Sequence, residues 1–191
     1  MSYPEYVKVD DREYKINTDF RIALKCNQIA QDNSITEIER GLAVIYVLFG
    51  EDGINNTQDH QKLLELAKKY LSCGKELTTD KEADMDYIQD MDYIEASFMS
   101  DYHIDLTNTQ MHWWKFYNLM NGLSNSELGD CCILNRIRNL RNFDTSKIKD
   151  QEEKQRIEEE KKQFSLKKKE KIYTDEEKES MDKFNKLMEM R

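Results

Sequence analysis

Residues 34–53 read SITEIERGLAVIYVLFGEDG, and whether this stretch coils or extends decides the fold class. Leu42 to Phe49 is apolar at every position, which suits a buried strand and a buried helix alike. The residues before it tip the balance. Ser34-Ile-Thr-Glu37 has the spacing of a capping box, in which a serine hydroxyl and a glutamate carboxylate satisfy free backbone N–H groups at a helix start. The spacing predicts a helix to about Phe49, closed by Gly50-Glu-Asp-Gly53. Its second half is apolar on every side, so it is expected to run through the middle of a core. A buried strand is the rival reading for Leu42–Phe49. Either way, the run is far short of the roughly 20 apolar residues of a membrane span.

Toward the N-terminus, residues 3–16 (YPEYVKVDDREYKI) alternate about Asp10-Asp11, with Tyr6, Val7 and Val9 on one side and Tyr14 and Ile16 on the other. This is the pattern of a β-hairpin. From Asp19 the period becomes helical: Ile22, Cys26, Ile29 and Ala30 recur behind Asn17-Thr18-Asp19, a cluster suited to capping. Beyond Gly53, a helix starting near Thr57 or Asp59 carries Leu63, Leu64, Leu66, Ala67, Tyr70 and Leu71 over about 160° of its circumference. So wide a stripe faces at least two neighbours, and Gly74 stands where a C-terminal cap belongs. A helix from near Asp86 aligns Tyr87, Met91, Ile94, Phe98 and Tyr102. Thr107-Asn-Thr-Gln110 is a second box ahead of MHWWKFYNLM, where Trp113, Trp114, Phe116, Tyr117 and Met120 cover another face of about 160°. After Asn121-Gly122, the box Ser124-Asn-Ser-Glu127 opens a helix with Leu128, Cys131, Cys132, Leu134, Ile137 and Leu140 on one side and Arg136, Arg138 and Arg141 beside or opposite them. One proline and six glycines in 191 residues are too few turn-formers for an all-β chain. The expected class is mainly α: a multi-helix domain with an N-terminal β-hairpin and a long charged C-terminal helical extension.

Charge divides the chain at Asp144. Residues 1–144 hold 15 basic and 25 acidic residues, net −10, whereas residues 145–191 hold 14 basic and 13 acidic, net +1. The first part, with its hairpin at 3–16, is expected to be an acidic helical domain. The second is expected to be a charged helical arm that projects into solvent, with Glu to Lys pairs at i,i+3 and i,i+4. A fourth box, Thr174-Asp-Glu-Glu177, precedes a short amphipathic helix with Met181, Phe184, Leu187 and Met188 along one side. A total of −9 repels phosphate backbones and argues against nucleic acid as the partner, although Lys161, Lys162, Lys167, Lys168, Lys169 and Lys171 form a local cluster that nearby glutamates offset.

Motifs of chemistry are missing. The six glycines never fall into GxGxxG or a Walker pattern. Cys26, Cys73, Cys131 and Cys132 have no CxxC spacing, and His60, His103 and His112 lie far from them, so a zinc site is not indicated. The vicinal Cys131-Cys132 pair is the one place for a redox argument. Alternating carboxylates between Thr78 and Glu95 suggest an EF-hand frame from Asp80, but Met85 stands where glycine is required and Met91 where a bidentate glutamate is required. A solvated loop leading into a helix is the expectation there. With no GxSxG or HExxH, the expectation is a protein that is no enzyme and holds neither cofactor nor metal.

Four runs carry a family resemblance: YKINTDFRIALKC, ERGLAVIYVLFG, the long stretch MDYIQDMDYIEASFMSDYHIDLTNTQMHWWKFYNLMNGLS, and ILNRIRNLRNFDTSKIKD. Over about residues 3–165 the chain resembles the bacteriophage gene-product-fifteen family of tailed phages and prophages, typically of Gram-positive hosts. Its most specific piece is the acidic-aromatic segment leading to His112–Phe116. Genes of that family commonly lie between those for tail tube and tape measure proteins, the position of tail assembly chaperones. The resemblance implies a helper, absent from the mature virion and resident in the host cytoplasm, that keeps the tape measure protein soluble while the tube polymerises. The start MSYPEYVKVDD, with no basic region ahead of an apolar stretch, fits the same compartment. The alternative is a structural virion component of the tail or head-tail connector. Asn125–Asp130 looks like an insertion relative to the family, and the stretch beyond about Leu166 looks additional.

Two segments are candidate partner-binding elements. In the aromatic helix, Trp113 and Trp114 either both belong to the core or one of them, with Tyr117, lines a groove for a partner's amphipathic helix. In the arm, Met181, Phe184, Leu187 and Met188 either recognise that partner or form an idle tail. The partners that the resemblance implies are the tape measure protein and the tail tube protein, with self-association as a further contact.

Overall fold

The structure, a computed structural model, describes residues 2–75, 83–125 and 131–167. The stretch 34–53 is helical. It forms most of α2 (Glu37–Asn55), which packs against α1 (Phe20–Ala30) on one side and α3 (His60–Leu71) on another. Its capping box lies two residues later than the sequence suggests. Thr36 Oγ1 accepts the Glu39 N–H, and the Glu39 carboxylate accepts the Thr36 N–H at 2.8 Å. Ser34 is instead held in a turn by Asp32, and Thr36-x-x-Glu39 satisfies the same short pattern. Gly50 does not close the element either. Its backbone, at φ 69° and ψ −157°, kinks α2, and the chain coils on to Asn55. At Gly53 a Cβ would come within 2.7 Å of Phe49, so the last turn packs against Phe49 only because no side chain stands there.

The hairpin pairs β1 (Tyr6–Val9) with β2 (Arg12–Lys15), with Val9 opposite Arg12 and Asp10 in the left-handed region at φ 51°. Val9, Tyr14 and Ile16 reach the core, and the Asn17 N–H donates to Leu48 O at 2.8 Å, tying the hairpin's exit to α2. In α3, Leu63, Ala67 and Tyr70 are buried, while Leu64, Leu66 and Leu71 flank them half-buried. Gly74, at φ 71°, donates to Lys69 O just beyond its end.

Three helix starts differ from expectation. α4 (Met91–Tyr102) begins five residues after Asp86, whose carboxylate accepts the Ile88 and Gln89 N–H groups in the turn before it. α5 (Trp113–Asn121) is capped by His112 and not by the Thr107 box, because Asp105 draws Thr107 and Asn108 into a turn of their own. α6 (Ile133–Asn142) is capped by the sulfur of Cys132, which accepts the Asn135 N–H at 3.5 Å. Part of the Ser124–Glu127 box, and Leu128, lie outside the described residues. At the centre of the core, Phe116 stacks on Phe20 at 4.6 Å, on Phe98 at 5.1 Å and on Trp113 at 5.7 Å between ring centroids.

The acidic stretch is not a solvated loop where it enters α4. Asp90 is only 1% exposed and takes both Nη atoms of Arg141 on its two oxygens at 2.7 Å, while Asp84 receives Arg138 at 3.2 Å through two bonds. A buried carboxylate persists only when paired this fully. The sequence could not show it, since the partners lie about fifty positions apart.

The charged extension forms α7 (Gln151–Gln163), capped by Asp150. Its C-terminal end does not project into solvent. Arg141 Nε donates to Phe164 O at 2.7 Å, the Phe164 ring meets Tyr93 edge-on, and the Gln89 side chain bonds both the N–H and the carbonyl of Lys167. Side chains of the body thus hold the end of α7.

Candidate interaction surface

His112 orders the start of the aromatic helix. Its Nε2 sits 3.0 Å from the Pro4 carbonyl, which can only accept, so the proton is on Nε2 and Nδ1 is left to accept the Trp114 N–H at 3.0 Å. Tyr3 stacks on the imidazole at 4.9 Å. The starts of α1 and α5 are stitched together by Phe20 N–H to Met111 O and Trp113 N–H to Thr18 O, and the Arg21 guanidinium gathers the carbonyls of Leu106, Thr107 and Thr109.

This geometry separates the two tryptophans. Trp113 is 1% exposed, inside the core, with its indole N–H on Leu71 O at 3.0 Å. Trp114 is half-buried, stacked on Tyr70 and met edge-on by Tyr3, with its indole N–H on Tyr70 O at 2.9 Å. Tyr117 is half-buried too, under the Lys75 ammonium at 4.7 Å. The structure therefore brings Trp114 and Tyr117 to the surface and takes Trp113 away from it. Met181, Phe184, Leu187 and Met188 lie outside the described residues.

A second apolar surface lies on α2. On α2, Ile38 (76% exposed), Leu42 (36%) and Tyr46 (54%) follow one another at i, i+4 and i+8, a single row about 12 Å long at 1.5 Å per residue. The opposite side of α2 supplies Val44, Ile45 and Leu48 to the core. At the Tyr46 end, the row borders a depression lined by Ile22, Val47, Lys15, Lys25 and Glu51. Leu42 and Tyr46 come from the all-apolar run and Ile38 from the polar stretch before it; α1, α3 and the hairpin pack against α2 and leave this row exposed.

Three of the cysteines and His60 have defined surroundings. Burial pushes the Cys26 thiol up to about 12 and the Cys73 thiol up to about 11, leaving both protonated at neutral pH. Cys131, raised by burial and by its neighbour Cys132, rests against Asn125. The His60 Nε2 donates to Ile54 O. Among the described residues, no three His, Cys, Asp or Glu side chains gather to hold a metal ion, and no helix is long and apolar enough to cross a membrane.

Against known proteins, residues 3–166 match the family described as Bacteriophage Gp15 protein. No curated protein and no solved structure matches the chain.

Proposed function

The chain belongs to the bacteriophage Gp15 protein family, and from that premise we propose that it is a non-enzymatic tail assembly helper that binds an apolar, helical partner and keeps it soluble. The partner in this reading is the tape measure protein. The observation that carries the proposal is the row Ile38–Leu42–Tyr46, exposed on a helix whose other side is packed into the core. Large apolar side chains in water at helical spacing are what an amphipathic helix docks onto. Trp114 and Tyr117 add a second, half-covered aromatic patch. Support for a binding role over catalysis comes from His112, both of whose ring nitrogens are engaged by backbone groups.

Many weak contacts along a long partner would suit such a helper, because each is readily displaced as the tube polymerises. The acidic body keeps a loaded complex soluble by net repulsion. Co-expression with the tape measure protein followed by co-purification tests the proposal. The two proteins are expected to elute together, with the tape measure protein insoluble when expressed alone. A tape measure protein that stays soluble without the chain and never co-elutes with it would contradict the reading. Composition of purified particles separates the alternative, since a virion component is present at fixed stoichiometry and a helper is not.

A further inference from the structure

The α2 row is self-complementary, and its two ends differ in charge. Leu42 lies midway between Ile38 and Tyr46, four residues from each. Around the Tyr46 end stand Lys15 and Lys25 with Glu51. Beside Ile38 stand the exposed Glu37 and Glu39. Arg40, which follows them, is turned away and holds the carbonyls of Asp32 and Ile35.

We propose that, when no other partner is bound, this face is covered by a second copy of the chain, α2 against α2 in antiparallel, two-fold symmetric contact. A two-fold axis through Leu42 sets Leu42 on Leu42 and Ile38 on the other copy's Tyr46. The same operation brings Lys25 of each copy toward Glu39 of the other, so cation meets anion at both ends of the row. A parallel arrangement sets like ends together and loses that match. The contact is small beside the roughly 800 Å² per partner of a standard stable interface, so it is a weak and reversible dimer, which a longer apolar helix can displace. The inference deepens the reading above because it uses the same face, but its test contains no other protein, so the two stand or fall separately.

Sedimentation velocity of the purified full chain over a concentration series is the experiment. The expected result is a concentration-dependent monomer–dimer equilibrium. Leu42→Glu places two carboxylates on the axis and is expected to leave only monomer, with the helix content of the wild-type chain because Leu42 is outside the core, and with a thermal midpoint that no longer rises with concentration. Lys25→Glu is expected to weaken the dimer about two- to fivefold by setting like charges together. Adding Glu39→Gln, which keeps the capping geometry, is expected to recover part of that loss. A chain that is monomeric at every concentration overturns the proposal, as does a dimer indifferent to Leu42→Glu. A dimer that instead disappears on removal of residues 168–191 overturns it too, and assigns the contact to the C-terminal segment.

Discussion

Trp113 and Trp114 are adjacent in sequence and do different work, because neighbouring side chains on a helix diverge by about 100°. Trp113→Ala should cost about 3–5 kcal/mol, the range for emptying a buried aromatic site, whereas Trp114→Ala, at a half-buried site, should cost less than half of that. Chemical denaturation of both variants checks the order. Buried charge gives a second test at this scale. Asp59, buried beneath the hairpin, accepts from Tyr14 Oη at 2.5 Å and from Arg12 Nη1 at 3.1 Å. The Tyr14 hydroxyl, and then Arg12, hold its carboxyl below the usual carboxylate range. A carboxyl depressed in the folded state stabilises above its unfolded pKa of about 3.9. That contribution is lost as pH falls through the lower folded value. The stability difference between the wild-type chain and Asp59→Asn should therefore be constant above about pH 5 and shrink below about pH 4; a gap that widens on acidification contradicts the assignment. None of this pairing was legible in sequence, where Arg12 and Asp59 lie 47 positions apart.

Elements were more legible than their ends. Alternation around Asp10-Asp11 gave the hairpin and its turn, and the wide stripe of α3 gave its burial between neighbours, because side-chain periodicity follows directly from backbone geometry. Caps were harder to place. The four-residue box pattern fits several registers, and local competitors decide among them: Asp32 engages Ser34, and Asp105 engages Thr107. The residues that do cap α5 and α6, His112 and Cys132, are outside the usual set of Ser, Thr, Asp and Asn. Gly50 suits a terminus by sequence and is a kink in the structure, since a glycine at positive φ serves either purpose. Nothing lies within 4 Å of a Cβ built there, so Gly50→Ala isolates the backbone term. With φ and ψ in a region nearly restricted to glycine, it should cost about 1–3 kcal/mol, measurable as a fall in unfolding free energy with the α2 face otherwise intact.

For the whole molecule, the change of composition at Asp144 marks a change in surface character but not the end of tertiary contact. Arg141 joins three segments at once, bonding Asp90 before α4, the Asp84 carbonyl and the Phe164 carbonyl after α7. Arg141→Ala leaves Asp90 buried without its counter-charge, with the Asp86 N–H still donating to it, so a loss of about 3–5 kcal/mol is expected, together with faster amide exchange in α7 once its C-terminal anchor is gone. Mainly α architecture, hairpin and charged extension all followed from composition and periodicity. The interaction surface did not, because an apolar run reads as core until the neighbours are placed and the uncovered side becomes visible. On the proposed function, this uncovered side of α2 is where an apolar helical partner docks. The most direct test is co-purification of the tape measure protein with Leu42→Glu, a variant expected to keep the helix content of the wild-type chain because Leu42 stands outside the core. The folded variant is expected to lose the tape measure protein; a variant that retains it at the wild-type level would show that the partner docks elsewhere.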